Sequence, residues 1–77
     1  MVIASECRNI VRRFGRRGFS FQRLNKTKME KQEMPYTSME MLKIVSYLER
    51  NYQVEKMYLQ RENFVETIYK TRGKNSL

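Results

Sequence analysis

The 77-residue sequence contains no histidine, aspartate or tryptophan, and only one cysteine, one proline and three glycines. Each shortage removes a class of chemistry or architecture. Cys7 alone cannot form an internal disulfide, and one thiol falls short of the roughly four ligands that a structural metal site requires. Without histidine or a second cysteine, nucleophilic catalysis and redox cycling lack their usual supporting group. No run approaches the ~18 apolar residues of a transmembrane helix. The expectation is a non-enzymatic protein with no metal, no cofactor and no transmembrane segment.

A chain of this length allows one small domain, whose core rarely supplies more than ~3–5 kcal/mol. With no disulfide or metal to add to that, self-association or a protein partner is the expected source of further stability. The net charge of +8 is unevenly placed. Residues 1–31 hold nine Lys and Arg against Glu6 and Glu30, whereas residues 32–77 hold seven against six. A basic arm joined to a near-neutral folded part suits nucleic acid, an anionic membrane surface or a targeting receptor; a solvated tail is the bland reading.

Composition divides the chain into a basic amphipathic segment (1–19), a polar linker (20–36), a helical interaction unit (37–73) and a tail (74–77). In the first segment Ile3, Cys7, Ile10 and Phe14 recur at spacings of four and three, which is one apolar helical face with Arg8, Arg12 and Arg13 largely off it. Gly15 and Gly18 bracket Arg16 and Arg17 and end that helix. Cys7 on the apolar face reads as a small buried hydrophobe; the nearby arginines offer the alternative of a reactive thiol.

Residues 37–73 carry the strongest structural signal. Thr37-Ser38-Met39-Glu40 fits a capping box, Tyr36 and Met41 fit a hydrophobic staple, and Lys70, Arg72 and Gly73 resemble a helix end. No glycine or proline intervenes. At ~100° per residue, Met41, Ile44, Val45, Leu48 and Tyr52 share one side, whereas Val54, Met57, Tyr58, Phe64, Val65 and Ile68 share roughly the opposite side. The apolar face therefore jumps by half a turn near residues 51–53. The expected fold is all-α, with one long helix over about 37–72, spanning about 50 Å, or a helical hairpin kinked at 51–53. Each face is expected to bind a partner, whether another protein or a second copy in a coiled-coil-like helical dimer. Glu49, Glu55, Glu62 and Glu66 read as a solvated helix face, with Glu66 and Lys70 at a favourable spacing.

The arginine-rich helix and the tetrapeptide Arg17-Gly18-Phe19-Ser20 resemble a mitochondrial targeting presequence. That resemblance implies import, with cleavage between Phe19 and Ser20. The leading expectation is an accessory subunit or assembly factor of a larger, mitochondrial complex. One alternative is a helical-dimer regulator or inhibitor of a larger enzyme, equally natural in a bacterium or phage and then cytoplasmic. Another is a basic nucleic-acid-binding or ribosomal accessory protein, in which Arg8, Arg12, Arg13, Arg16 and Arg17 neutralise phosphates while Phe14, Phe19 and Phe21 stack on bases. No zinc-finger spacing or RNA-binding-sheet motif is present. No convincing helix-turn-helix is present either: around residues 54–73 the position of its glycine turn holds Leu59, so sequence-specific DNA reading is not expected.

Overall fold

The computed structural model describes residues 2–74, with the side chain of residue 74 excluded; most of the expected tail at 74–77 lies outside them. The chain forms α1 (Ile3–Phe14), α2 (Phe21–Glu30), α3 (Ser38–Asn51), β1 (Tyr52–Gln60) and β2 (Val65–Lys74). β1 and β2 are an antiparallel hairpin turning through residues 61–64, where the Arg61 N–H donates to the Phe64 carbonyl.

This corrects the all-α expectation. The fold is α+β, and among the described residues neither a long helix over 37–72, nor a helical hairpin, nor a coiled coil is present. α3 starts as expected: the Glu40 N–H donates to Thr37 Oγ1 at 3.1 Å and the Thr37 N–H donates to Glu40 Oε1 at 2.9 Å, completing the capping box. It ends at Tyr52, which is fully extended at φ −135°, ψ 159°. The half-turn jump at 51–53 marks the end of the helix, where the side-chain period changes from 3.6 to 2. Tyr52, Val54, Tyr58, Val65, Thr67, Ile68, Tyr69 and Thr71 are β-branched or aromatic residues that fit a pleated surface better than a helix. Lys70, Arg72 and Gly73, read as a helix end, lie in β2.

Residues 20–36, expected as a linker, contain α2. Ser20 caps it, its hydroxyl accepting from the Arg23 N–H. The return to α3 is tied down by Asn25, whose Oδ1 accepts from the Tyr36 N–H at 2.7 Å. One core joins all these elements: Cys7 and Ile10 of α1, Phe19, Leu24 of α2, Tyr36, Ile44 and Leu48 of α3, and Tyr52 at the start of β1. Each such aliphatic or aromatic side chain contributes about 1.5–3 kcal/mol on full burial. Phe19, Phe21, Tyr36 and Tyr69 form an aromatic cluster with ring centroids 5.7–6.1 Å apart.

The two outer edges of the hairpin differ. Along β2, Phe19 and Tyr69 exchange both backbone bonds (Phe19 N–H to Tyr69 O, 2.9 Å; Tyr69 N–H to Phe19 O, 2.7 Å), and the Thr71 N–H donates to the Gly15 carbonyl at 2.9 Å. This approach requires glycine at 15. A Cβ there would strike Thr71 Oγ1 and lie 2.6 Å from the Val11 carbonyl oxygen. Gly18 sits at φ 93°, and its Cβ would lie 2.8 Å from Ile68 Cγ2. Along β1 no such segment is present among the described residues.

Candidate nucleic-acid interface

α1 turns Ile3, Cys7, Ile10 and Phe14 toward the core, so Arg8, Arg12 and Arg13 are exposed. Arg16 and Arg17 follow in the turn that leads to Phe19, and are also exposed. Because Gly15 lets β2 approach, Arg72 comes to the same corner. Arg12, Arg13, Arg16, Arg17 and Arg72, with Val11, Gly15, Thr71 and Gly73, line a hollow of about 530 Å³. None of these lining residues is acidic. At the rim Glu55 pairs with Arg72 and lines an adjoining hollow with Arg16 and Lys70.

Arg13 also lines a second hollow of about 290 Å³ between α1 and α2, together with Lys28 and Lys31. The carboxylates there are occupied: Glu6 accepts from the Tyr36 hydroxyl, and Glu33 pairs with Lys28 at 3.8 Å. A cationic strip therefore runs from Arg72 and Arg17 through Arg13 to Lys31. Among the described residues, Arg8, Arg12, Arg13, Arg16 and Arg17 form no ion pair; Arg12 donates only to Asn9, and Arg8 only to Ser5. Arg12 and Arg13 also complement the negative end of the α1 dipole, which accounts for two arginines in its last turn. It does not account for Arg16, Arg17 and Arg72 beside them.

Two expectations for this segment meet the fold differently from how they were drawn. Phe14 and Phe21 pack against the core and Phe19 is 1 % exposed, so these rings do not offer faces to bases. The Phe19–Ser20 bond, the expected cleavage point, lies inside the fold. Phe19 is bonded to Tyr69, and Ser20 is buried with its hydroxyl donating to Glu66 Oε2 at 2.5 Å. Cys7 is fully buried, with its thiol directed at the Ile44 carbonyl. Burial, reinforced by Glu6, pushes its pKa up to about 11, which suits a packed hydrophobe and not a thiolate nucleophile.

The two expected partner faces are split by the sheet. From the first, Ile44, Leu48 and Tyr52 are buried in the protein's own core, and Met41 packs against it; Val45 is half-buried. From the second, Ile68 is buried and Val54 packs on the core, whereas Met57, Tyr58, Phe64 and Val65 are exposed near the hairpin tip. Residues drawn on one helical face thus point to both sides of a strand pair.

Glu66 was read as part of a solvated helix face with Lys70. It is instead 6 % exposed and ringed by donors: Ser20, Arg61 through Nε at 3.0 Å and Nη2 at 2.6 Å, and Arg23 at 3.3 Å. The Ser20 hydroxyl first, then Arg61, holds its carboxyl below the usual range. Tyr36 is the counterpart between α1 and α3. Burial and its bond to Glu6 raise the phenol well above its ordinary value, and Lys28 Nζ lies 4.3 Å from the ring centroid. Only the β register brings Glu66 to Ser20, so no local pattern marks it.

No family model, curated protein or solved structure matches this chain. No helix among the described residues is long and apolar enough to cross a membrane.

Proposed function

We propose that the protein is a non-enzymatic nucleic-acid-binding accessory protein that grips the phosphate backbone through the arginine corner. The observation that carries this reading is a hollow lined, among the described residues, by five arginines and by no carboxylate, continued by Arg13 toward Lys28 and Lys31. Neutralising phosphates releases condensed counterions, and this supplies most sequence-independent affinity.

The order of elements supports the same reading. α1, the strand residue Phe19, α2, α3 and the hairpin, with the first strand beside the last, follow the order of a winged helix-turn-helix. That arrangement presents a helix to a DNA groove. Its helix pair would be α2 and α3, although the sequence showed no convincing helix-turn-helix. α3 carries Lys43 and Arg50 against Glu40 and Glu49 and exposes Met39 and Leu42, a poor set for reading bases. Binding is therefore assigned to the backbone, without sequence preference. Residues 2–19 belong to the working protein in this reading, so a cellular form starting at Ser20 would contradict it.

Fluorescence anisotropy with random-sequence duplex DNA and RNA tests the proposal. With about four phosphate contacts, log affinity for DNA falls with log salt at a slope near −3.6. Combined Arg12→Ala, Arg16→Ala and Arg17→Ala flattens the slope by about 1 per arginine and weakens binding equally across sequences. Absence of binding at low salt, or binding untouched in this folded variant, would overturn it.

A further inference from the structure

The closed edge of β2 fixes what the open edge of β1 presents. Tyr69 spends both its N–H and its carbonyl on Phe19, so it has neither left for Lys56, its neighbour across the hairpin. Lys56 and Tyr69 are therefore a non-hydrogen-bonded pair, and by alternation so are Tyr58 and Thr67. The backbone N–H and carbonyl groups of Lys56 and Tyr58 consequently point away from β2. None of them is paired with any other backbone group among the described residues. Tyr58 is 68 % exposed, and Met57, Phe64 and Val65 are exposed around it. An uncovered edge of this kind is a template for another strand.

We propose that a second copy of the chain covers this edge, β1 pairing antiparallel with β1 about a two-fold axis between the two Tyr58 residues. Charge selects the register. With the axis at the strand's centre, Lys56 would face Lys56 of the second copy, and like charges directly opposite repel. With the axis at Tyr58, Lys56 faces Gln60, Met57 faces Leu59, and Glu55 faces Arg61 of the second copy. The two Tyr58 rings then meet on the axis, with an apolar pair on each side of it, and Glu55, beside Arg72, comes near Arg61, beside Glu66, of the second copy. The arginine corners touch the joint only through Glu55, the partner of Arg72 at their rim, so self-association and nucleic-acid binding keep separate readouts.

Light scattering over a concentration series reads the assembly directly, and the doubled mass is expected. Tyr58→Pro removes an N–H that the β1–β2 ladder does not use, so the far-UV spectrum holds while dimerisation weakens by more than about tenfold. Tyr58→Cys tests the register without proline: directly opposite residues in a hydrogen-bonded pair lie about 5.5 Å apart at Cα, within disulfide reach. Oxidation then gives a covalent dimer from Tyr58→Cys but not from Met57→Cys, with buried Cys7 left out of the exchange. A monomer at every concentration overturns the proposal, as does a folded Tyr58→Pro variant that remains dimeric. Cross-linking through Met57→Cys in place of Tyr58→Cys overturns the register.

Discussion

The two ends of the molecule divide charge from apolar surface. At the α1 corner the charge is almost wholly positive and unpaired, yet every large apolar side chain of α1 turns into or packs on the core. At the hairpin tip the charges are balanced, with Arg61 held by Glu66, while Met57, Tyr58, Phe64 and Val65 remain uncovered. The same chain thus presents an electrostatic surface whose scaffold is rigidly built in, and an apolar surface that contributes little to the fold. Substitutions at the first end should be separable into charge and packing effects. Those at the uncovered apolar residues of the tip should leave folding untouched.

Deleting residues 2–19 is the strongest way to break that comparison. It removes Cys7, Ile10 and Phe19 from the core and uncovers the edge of β2. At about 1.5–3 kcal/mol per large buried side chain, the loss exceeds the ~3–5 kcal/mol such a core supplies. The truncated chain is expected to be unfolded by circular dichroism; a cooperative thermal transition would return these residues to the status of an arm. Next in size, Leu48→Ala should cost about 2–5 kcal/mol in urea denaturation, since Leu48 is 1 % exposed on the core face of α3.

Ser20→Ala should cost about 1–3 kcal/mol, because it takes a donor from a buried carboxylate and the side-chain cap from α2. The same carboxylate shapes the pH response. Glu66 and Glu40 ionise more readily when folded, Glu40 because the Thr37 N–H donates to it. Their contribution is present above the unfolded glutamate value of about 4.3 and is lost as pH falls through their folded values. Cys7 and Tyr36 act at the other limit. Their folded values are raised, so stability holds below about pH 8.5 and falls as pH climbs toward 11, the unfolded chain releasing protons first. Thermal melts across pH should show both flanks, with Cys7→Ala reducing the alkaline one. The smallest effect belongs to the tip: Phe64→Ala should shift stability by no more than about 0.5 kcal/mol. A larger loss would show that the hairpin tip supports the fold after all.

Local features were legible wherever neighbours in sequence are neighbours in space. The apolar stripe of α1, the glycines that end it, and the Thr37–Glu40 box that starts α3 are all of this kind. The half-turn jump at 51–53 was also visible, but a helical period imposed on both sides of it turned a change of secondary structure into a change of face. Val54, Met57, Tyr58, Phe64, Val65 and Ile68 fit a helical stripe and a strand pair almost equally well, because short β-branched and aromatic runs carry little periodic information.

The site was half legible. The positive charge at 8–17 stands in the sequence, but the arrival of Arg72, with Glu55 at its side, depends on β2 lying against Gly15. What the sequence by itself determined was the inventory: a single cysteine, no histidine or aspartate, a basic first third and the start of α3. What only the tertiary structure decided was the pairing of residues far apart along the chain, Phe19 with Tyr69, Ser20 with Glu66 and Gly15 with Thr71. Helix caps and stripes are short-range and repeat at fixed spacing. Strand partners are chosen by long-range burial and backbone hydrogen bonding, which leave no fixed interval for a single sequence to display.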